Sequence, residues 1–233
     1  MQDNVNVIRI DRDDAIPLIL TVHYARRIPV IQYAYGLYLD KKLIGVITYG
    51  QPVSPSLCVG VAGEKYKYDV LELNRLVILP EYNGKNYASI LISRSLKLLP
   101  PRKYIVSYAD IGGWGHNGYV YQATNFYYTG TTKPRTDIYA DGHSRHYQRG
   151  DTRRVYRTAK HRYITITGNK RDKKELLKDL IYPIYDKYPK GDNVTYDIEN
   201  PEPVDANLKN VISKDGEVLY TRKVEDKYKI RLW

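Results

Sequence analysis

Reactive side chains are concentrated between Ser107 and Asn125, where Ser107, Asp110, His116, Tyr121, Gln122 and Asn125 follow one another at short intervals. Asp110 ends an apolar run, Tyr104–Ala109, and precedes the Gly-rich stretch Ile111–Asn117. In an open α/β sheet the carboxyl end of a strand is where ligands sit. A carboxylate there serves as a general base or orients an amine by accepting its hydrogen bond; otherwise it caps the turn that follows. Strict strand alternation puts Ser107 on the face opposite Asp110, so one site uses both only if the strand bulges. Asp110, His116 and Tyr121, with His23, also make an oxygen and nitrogen ligand set of the kind that holds iron or another divalent metal. No pair of His or carboxylate residues at helical spacing accompanies that set. His23 falls on an apolar helical face, where an imidazole is either a core residue or a substrate contact.

The elements that must hold these residues follow from periodicity. Val5–Ile10 alternates as a strand. A helix starts near Asp14, with Pro17 in its first turn, and Ile16, Ile19, Leu20 and His23 share one stripe. Tyr35–Leu39 and Leu43–Tyr49 predict a hairpin, and Gln51–Gly63 a loop rich in Pro, Ser and Gly. Val70–Ile78 predicts a strand with Glu72 and Asn74 on one face and Arg75 on the other. Ala88, Leu91, Ile92, Ser95, Leu96 and Leu99 trace a helix that Pro100-Pro101 ends. After the strand that leads to Asp110, Gly118–Tyr128 is expected to be helical. Strands follow near Thr136–Ala140 and Arg162–Thr167. Lys173–Ile181 predicts a short helix with Leu176, Leu177, Leu180 and Ile181 inward, and a hairpin is expected around Asp215-Gly216. Strands and helices mixed in this order predict an α/β fold, a central mixed sheet with helices on both faces.

The chain has 233 residues and a net charge of +11, unevenly placed. Residues 131–190 carry 16 basic and 7 acidic residues, whereas 191–233 carry 7 and 9. This divides the chain into a domain over 1–190, whose 131–190 segment is basic, and an acidic C-terminal add-on over 191–233. A concentrated basic block suits a polyanion through counterion release. Lys133, Arg135, Arg145, Arg149, Arg153 and Arg154 interleave there with Tyr139, Tyr147 and Tyr156, a composition that contacts phosphates and stacks on bases. The lone Cys58 excludes a disulfide framework and a Cys-rich zinc site, and fits a reducing compartment. No stretch reaches the ~18 apolar residues of a membrane span, and Met1–Asp14 is too acidic for a signal peptide.

Two resemblances add to this reading. Pro80-Glu81-Tyr82-Asn83-Gly84-Lys85-Asn86-Tyr87-Ala88-Ser89, between a strand and the long helix, resembles the acyl-coenzyme A loop of GNAT-type acyltransferases. In those proteins backbone amides at a helix start hold the cofactor pyrophosphate. Ala88 matches the loop's last position, while Asn83 and Asn86 stand where the motif has Gln/Arg and Gly. The resemblance implies acetyl-coenzyme A contacts at Asn83, Gly84, Lys85, Asn86 and Ser89, with Asn74, Leu76 and Ile78 on the neighbouring strand.

The broader resemblance rests on ordered motifs: His23-Tyr24, Tyr35-Gly36-Leu37, Gly45–Gly50, Leu71-Glu72-Leu73-Asn74-Arg75-Leu76 and Ser107-Tyr108-Ala109-Asp110, then Gly115–Phe126, Tyr128-Thr129-Gly130 and Lys133-Pro134-Arg135-Thr136. Together these resemble the Mom family of phage DNA-modification proteins over roughly residues 20–190, with Gly112-Gly113-Trp114 as a longer linker than is usual there. The resemblance implies a GNAT-like fold and a transferase that converts adenine in DNA to its N6-carbamoylmethyl form. That change shields phage DNA from host restriction endonucleases in the host cytoplasm.

Under this reading Asp110, Tyr121, His23 and Ser107 are the catalytic candidates. His116, Gln122, Asn125 and the basic residues Lys133, Arg135, Arg145, Arg149, Arg153 and Arg154 meet double-stranded DNA. The target adenine is flipped into the site, at a cost of a few kcal/mol. Two rivals share the observations. One is a coenzyme A-dependent acyltransferase acting on a protein or small-molecule amine; the other is a DNA-binding protein without catalysis.

Overall fold

The protein is described here from a computed structural model, which describes residues 4–23, 27–111, 116–133, 135–138, 154–157, 159–191, 208–212 and 218–223. Its strands are β1 (Val5–Ile10), β2 (Tyr33–Leu39), β3 (Lys42–Gly50), β4 (Val70–Ile78), β5 (Tyr104–Asp110), β6 (Tyr127–Thr131), β7 (Arg135–Ile138), β8 (Arg154–Arg157), β9 (Lys160–Ile166), β10 (Leu208–Ile212) and β11 (Val218–Lys223). The helices are α1 (Arg12–Thr21), α2 (Pro55–Tyr66), α3 (Tyr87–Leu98), α4 (Tyr119–Gln122) and α5 (Lys170–Leu176). A seven-stranded sheet runs β1-β2-β3-β4-β5-β9-β6, and a four-stranded sheet runs β11-β10-β8-β7. Within the larger sheet β4 and β5 are parallel and the other pairs antiparallel, the mixed α/β architecture expected.

Local chemistry explains the elements. The β2–β3 hairpin closes on Asp40 and Lys41, both at positive φ (46° and 72°), the two-residue turn whose twist matches its strands. In α3 the stripe puts Leu91 and Ile92 fully inside against Tyr35, Ile47 and Tyr49, burial that stabilises by about 1.5–3 kcal/mol per side chain. Asn169 and Asp172 form a reciprocal cap at the start of α5. Each sheet face then has its own core. Leu71, Leu73, Ile105, Ala109 and Tyr163 pack on the α3 side; Val70, Tyr104, Val106, Ile164 and Ile166 pack with Cys58, Val61 and Leu176 from α2 and α5 on the other.

Several expectations change. The stretch 51–63 is largely helical, not a loop: Ser54 and Pro55 begin α2, favoured residues at a helix start, and the helix is broken at Ala62-Gly63, where Gly63 has φ 71°. The expected helix over 118–128 shrinks to the single turn Tyr119–Gln122. Asn125 at φ 60° ends the turn structure, and β6 follows on the sheet edge. Helix α5 starts earlier, at Lys170, and Ile181 is 57% exposed rather than inward. The C-terminal hairpin forms as expected, and β10 also pairs with β8, so backbone hydrogen bonds tie the 191–233 segment to the basic one.

Candidate active site

The site lies where the two parallel strands separate. Pairing of β4 with β5 covers only Val70–Glu72 and Tyr104–Val106, although β4 continues to Ile78 and β5 to Asp110. A wedge therefore opens at the carboxyl ends of two parallel strands, the position favoured for ligands in such sheets. Ser107 stands at the apex. Its hydroxyl donates to the Leu73 carbonyl (3.1 Å), and the residue is buried on the α3 side, opposite Asp110. The structure thus gives Ser107 a positioning role at the split and does not bring it to the carboxylate.

A bulge in β4 reshapes the wedge. Thr48 pairs with Arg75 and Tyr49 with Leu73, which leaves Asn74 as an extra residue. Leu71 and Leu73 before the bulge, and Leu76 and Ile78 after it, all face α3. Asn74 and Arg75 consequently share the other face, correcting the simple alternation that separates them. Both clamp the same crossing segment. The Asn74 amide donates to the Val30 carbonyl (2.8 Å) and accepts from the Thr48 hydroxyl (2.6 Å), while the Arg75 guanidinium donates twice to the Arg27 carbonyl (3.2 and 3.0 Å). Gly50 permits this crossing, because a Cβ there would collide with the Val30 carbonyl.

On that face Asp110 meets Lys160, its cross-strand neighbour, at 3.8 Å. His116 follows closely, its amide donating to the Asp110 carbonyl (3.0 Å). His23, at the end of α1, is 9% exposed, and its imidazole is held well below the ordinary histidine pKa. Burial is the main cause, followed by the charges of Arg75, Lys160 and His116. Burial also lowers His116, against an opposing pull from Asp110. The wedge thus combines neutral imidazoles, a carboxylate and two cations. Arg75 and Lys160 are the members that sequence reasoning left out. The signal for Lys160 is its register opposite Asp110; that for Arg75 is the bulge, invisible in side-chain alternation.

Among the described residues no group of three His, Cys, Asp or Glu is arranged to hold a metal ion. The cations Arg75 and Lys160 lie in the surroundings of His23 and Asp110. Tyr121 packs on the α3 side of the sheet between Phe126 and Tyr163, with ring centroids 5.4 and 5.3 Å apart. It does not join Asp110.

The remaining candidates fall into three groups. Gln122 is structural: its amide donates to the carbonyls of Asn117 (2.9 Å) and Pro189 (3.2 Å) and to the Tyr163 hydroxyl (3.1 Å), so reading a base would break these bonds. Asn125 and Lys133 are exposed. Leu76 and Ile78 pack partly into the α3-side core, and Ser89 is half-buried in the first turn of α3. Asn83, Gly84, Lys85 and Asn86 form an exposed turn before α3, with Gly84 at φ 83° and Asn86 at φ 59°. Arg135 and Arg154 lie in β7 and β8, and Arg145, Arg149 and Arg153 fall outside the described residues.

Comparison with known proteins places these features. The model of the Mom protein family matches residues 4–190. The methylcarbamoylase Mom of Escherichia phage Mu is 31% identical over 185 residues, covering 70% of this chain and 75% of that protein. Among solved structures, a GNAT-family acetyltransferase from Bacillus cereus is 16% identical, with a TM-score of 0.42 over 71% of this chain and 99% of its own. YncA from Salmonella typhimurium, a putative acetyltransferase with acetyl-CoA, is 11% identical, with a TM-score of 0.44 over 71% and 95%.

Proposed function

The chain belongs to the Mom protein family, and from that premise we propose that it is a DNA-modifying transferase. It converts adenine in phage DNA to N6-carbamoylmethyladenine, acts in the host cytoplasm, and protects the DNA from host restriction endonucleases. The observation that supports this reading is the wedge between β4 and β5, with Asp110 beside Lys160 and His116 at the end of β5, and the buried His23 under the charges of Arg75 and Lys160.

The chemistry asks three things of the site. Adenine N6 is a weak nucleophile, since its lone pair is delocalised into the ring, so orientation matters more than base strength. As N6 attacks the donor carbon, that carbon's bond to its carrier breaks and the carrier leaves with the electron pair, while N6 loses a proton that the Asp110 carboxylate accepts beside the Lys160 ammonium. Neutral His23 accepts a hydrogen bond from the incoming amine or donor, because burial above all, and then the charges of Arg75 and Lys160, disfavour its protonated form. Charge on the donor is met by Arg75, which also holds the Arg27 carbonyl. Bases extruded from duplex DNA need an enclosed pocket, and we assign that place to the wedge, at whose apex Ser107 bonds the Leu73 carbonyl.

Coenzyme A is the cofactor class that the loop before α3 would hold. The exposed turn Asn83–Asn86 fits its pyrophosphate: the first turn of α3 leaves amides without intrahelical partners, and Lys85 adds a positive charge.

The test separates the rivals. Adenine nucleosides from DNA of expressing cells are measured by mass spectrometry, with purified protein assayed for DNA affinity. Modified deoxyadenosine that disappears in Asp110→Asn supports the reading. DNA binding with unmodified adenine points to a binding protein, and acyl transfer without DNA to a small-molecule acyltransferase.

A further inference from the structure

The four-stranded sheet holds a row of four basic residues. In β7–β8, Arg135 pairs with Arg157. In β8–β10, Val155 pairs with Val211, and continuing that antiparallel register by two residues puts Lys209 opposite Arg157. In β10–β11, Lys209 pairs with Arg222. Arg135, Arg157, Lys209 and Arg222 therefore occupy one row of register positions across the four strands. The neighbouring row on the same face is Asp137, Val155, Val211 and Tyr220. On the other face, Thr136, Tyr156, Asn210 and Thr221 form one row, while Ile138, Arg154, Ile212 and Val218 form the next with a single cation.

Like charges at directly opposed positions destabilise a sheet, and here they recur at each step across it. Such a row becomes favourable when an anion neutralises it. Two of the four come from β10 and β11, inside the segment whose overall charge is acidic, and that hairpin lies beyond residues 4–190 of the family match. At ~4.8 Å between strands the row spans ~14 Å, comparable with the ~12 Å width of the DNA major groove from backbone to backbone.

We propose that the row Arg135–Arg157–Lys209–Arg222 binds the phosphate backbone of duplex DNA, so that the C-terminal hairpin is half of a DNA-docking sheet. This rests on DNA being the substrate. The acidic residues around the hairpin then leave its sequence weakly charged overall while its cations are gathered on one row.

Fluorescence anisotropy with duplexes of unrelated sequence, titrated over salt, tests it. Each lost phosphate contact flattens the slope of log K against log salt by ~0.9. The pair Arg222→Gln and Lys223→Gln removes one charge at adjacent positions on opposite faces. Arg222→Gln is expected to flatten the slope by about 0.9, Lys209→Gln/Arg222→Gln by about 1.8, and Lys223→Gln not at all. The loss should be equal on every duplex. Without DNA, melting by circular dichroism at low salt should show the double variant at least as stable as the parent, since repulsion is relieved. Equal slopes for Arg222→Gln and Lys223→Gln, with normal DNA binding by the parent, overturn the row and leave the DNA reading standing. A parent protein that binds no duplex overturns that reading, and the row with it.

Discussion

At the residue scale, the proposed chemistry asks for a neutral His23 beside Arg75 and Lys160. Its folded pKa lies below the ordinary 6.5, so the unfolded chain binds a proton that the folded protein refuses. Stability is therefore full above about pH 6.5 and lost as the pH falls from there toward the folded value. His116 and His161 are also lowered by burial and add the same sign. Thermal melting at pH 7.5 and at pH 5 should show this loss, and His23→Gln should shrink it. Arg75→Lys keeps the charge but loses the fork on the Arg27 carbonyl. We expect about 1–2 kcal/mol less stability in urea and a fall in adenine modification, with duplex affinity unchanged. Part of this scale was legible from sequence: Asp110 ends β5, and His116 follows it with its amide on the Asp110 carbonyl. Lys160 and Arg75 were not, because a cross-strand partner 50 residues away and a bulge leave no periodic trace.

At the element scale, the long periodic segments followed their patterns. β1 and β4 match the expected bounds, and α3 and β5 differ by a residue. The misreadings have physical causes. In α2, Pro, Ser and Gly look like a loop until Ser54-Pro55 is read as a helix start. After Gly118, apolar residues continue at helical spacing, yet the helix stops because Phe126 and Tyr128 are taken up by the edge of the sheet. The edge strand β6 is then covered by the 181–191 segment: the Tyr185 amide donates to the Tyr128 carbonyl (2.9 Å) and the Tyr188 hydroxyl to the Phe126 carbonyl (3.0 Å). Gly118 sits at φ 71°, with the Tyr163 ring where a Cβ would stand. Gly118→Ala should cost about 2–4 kcal/mol by chemical denaturation, since left-handed strain and a clash with a buried ring add. Gly50→Ala should displace the 27–30 segment and suppress modification, while the α3-side core stays formed.

At the scale of the whole molecule, the larger sheet carries the proposed wedge and the smaller one the proposed row of cations. The net charge of +11 is by itself only a disposition toward polyanions. Its placement gives it meaning, because the basic strands β7 and β8 pair with a hairpin from an acidic segment, an association that composition divides at residue 190. The most direct test of the central claim is nucleoside mass spectrometry of DNA from cells that express the protein. The account predicts N6-carbamoylmethyl-deoxyadenosine in the parent sample and its absence with Asp110→Asn, both proteins being folded and bound to duplex DNA. Unmodified deoxyadenosine alone in the parent sample, with the protein folded and DNA-bound, would contradict it.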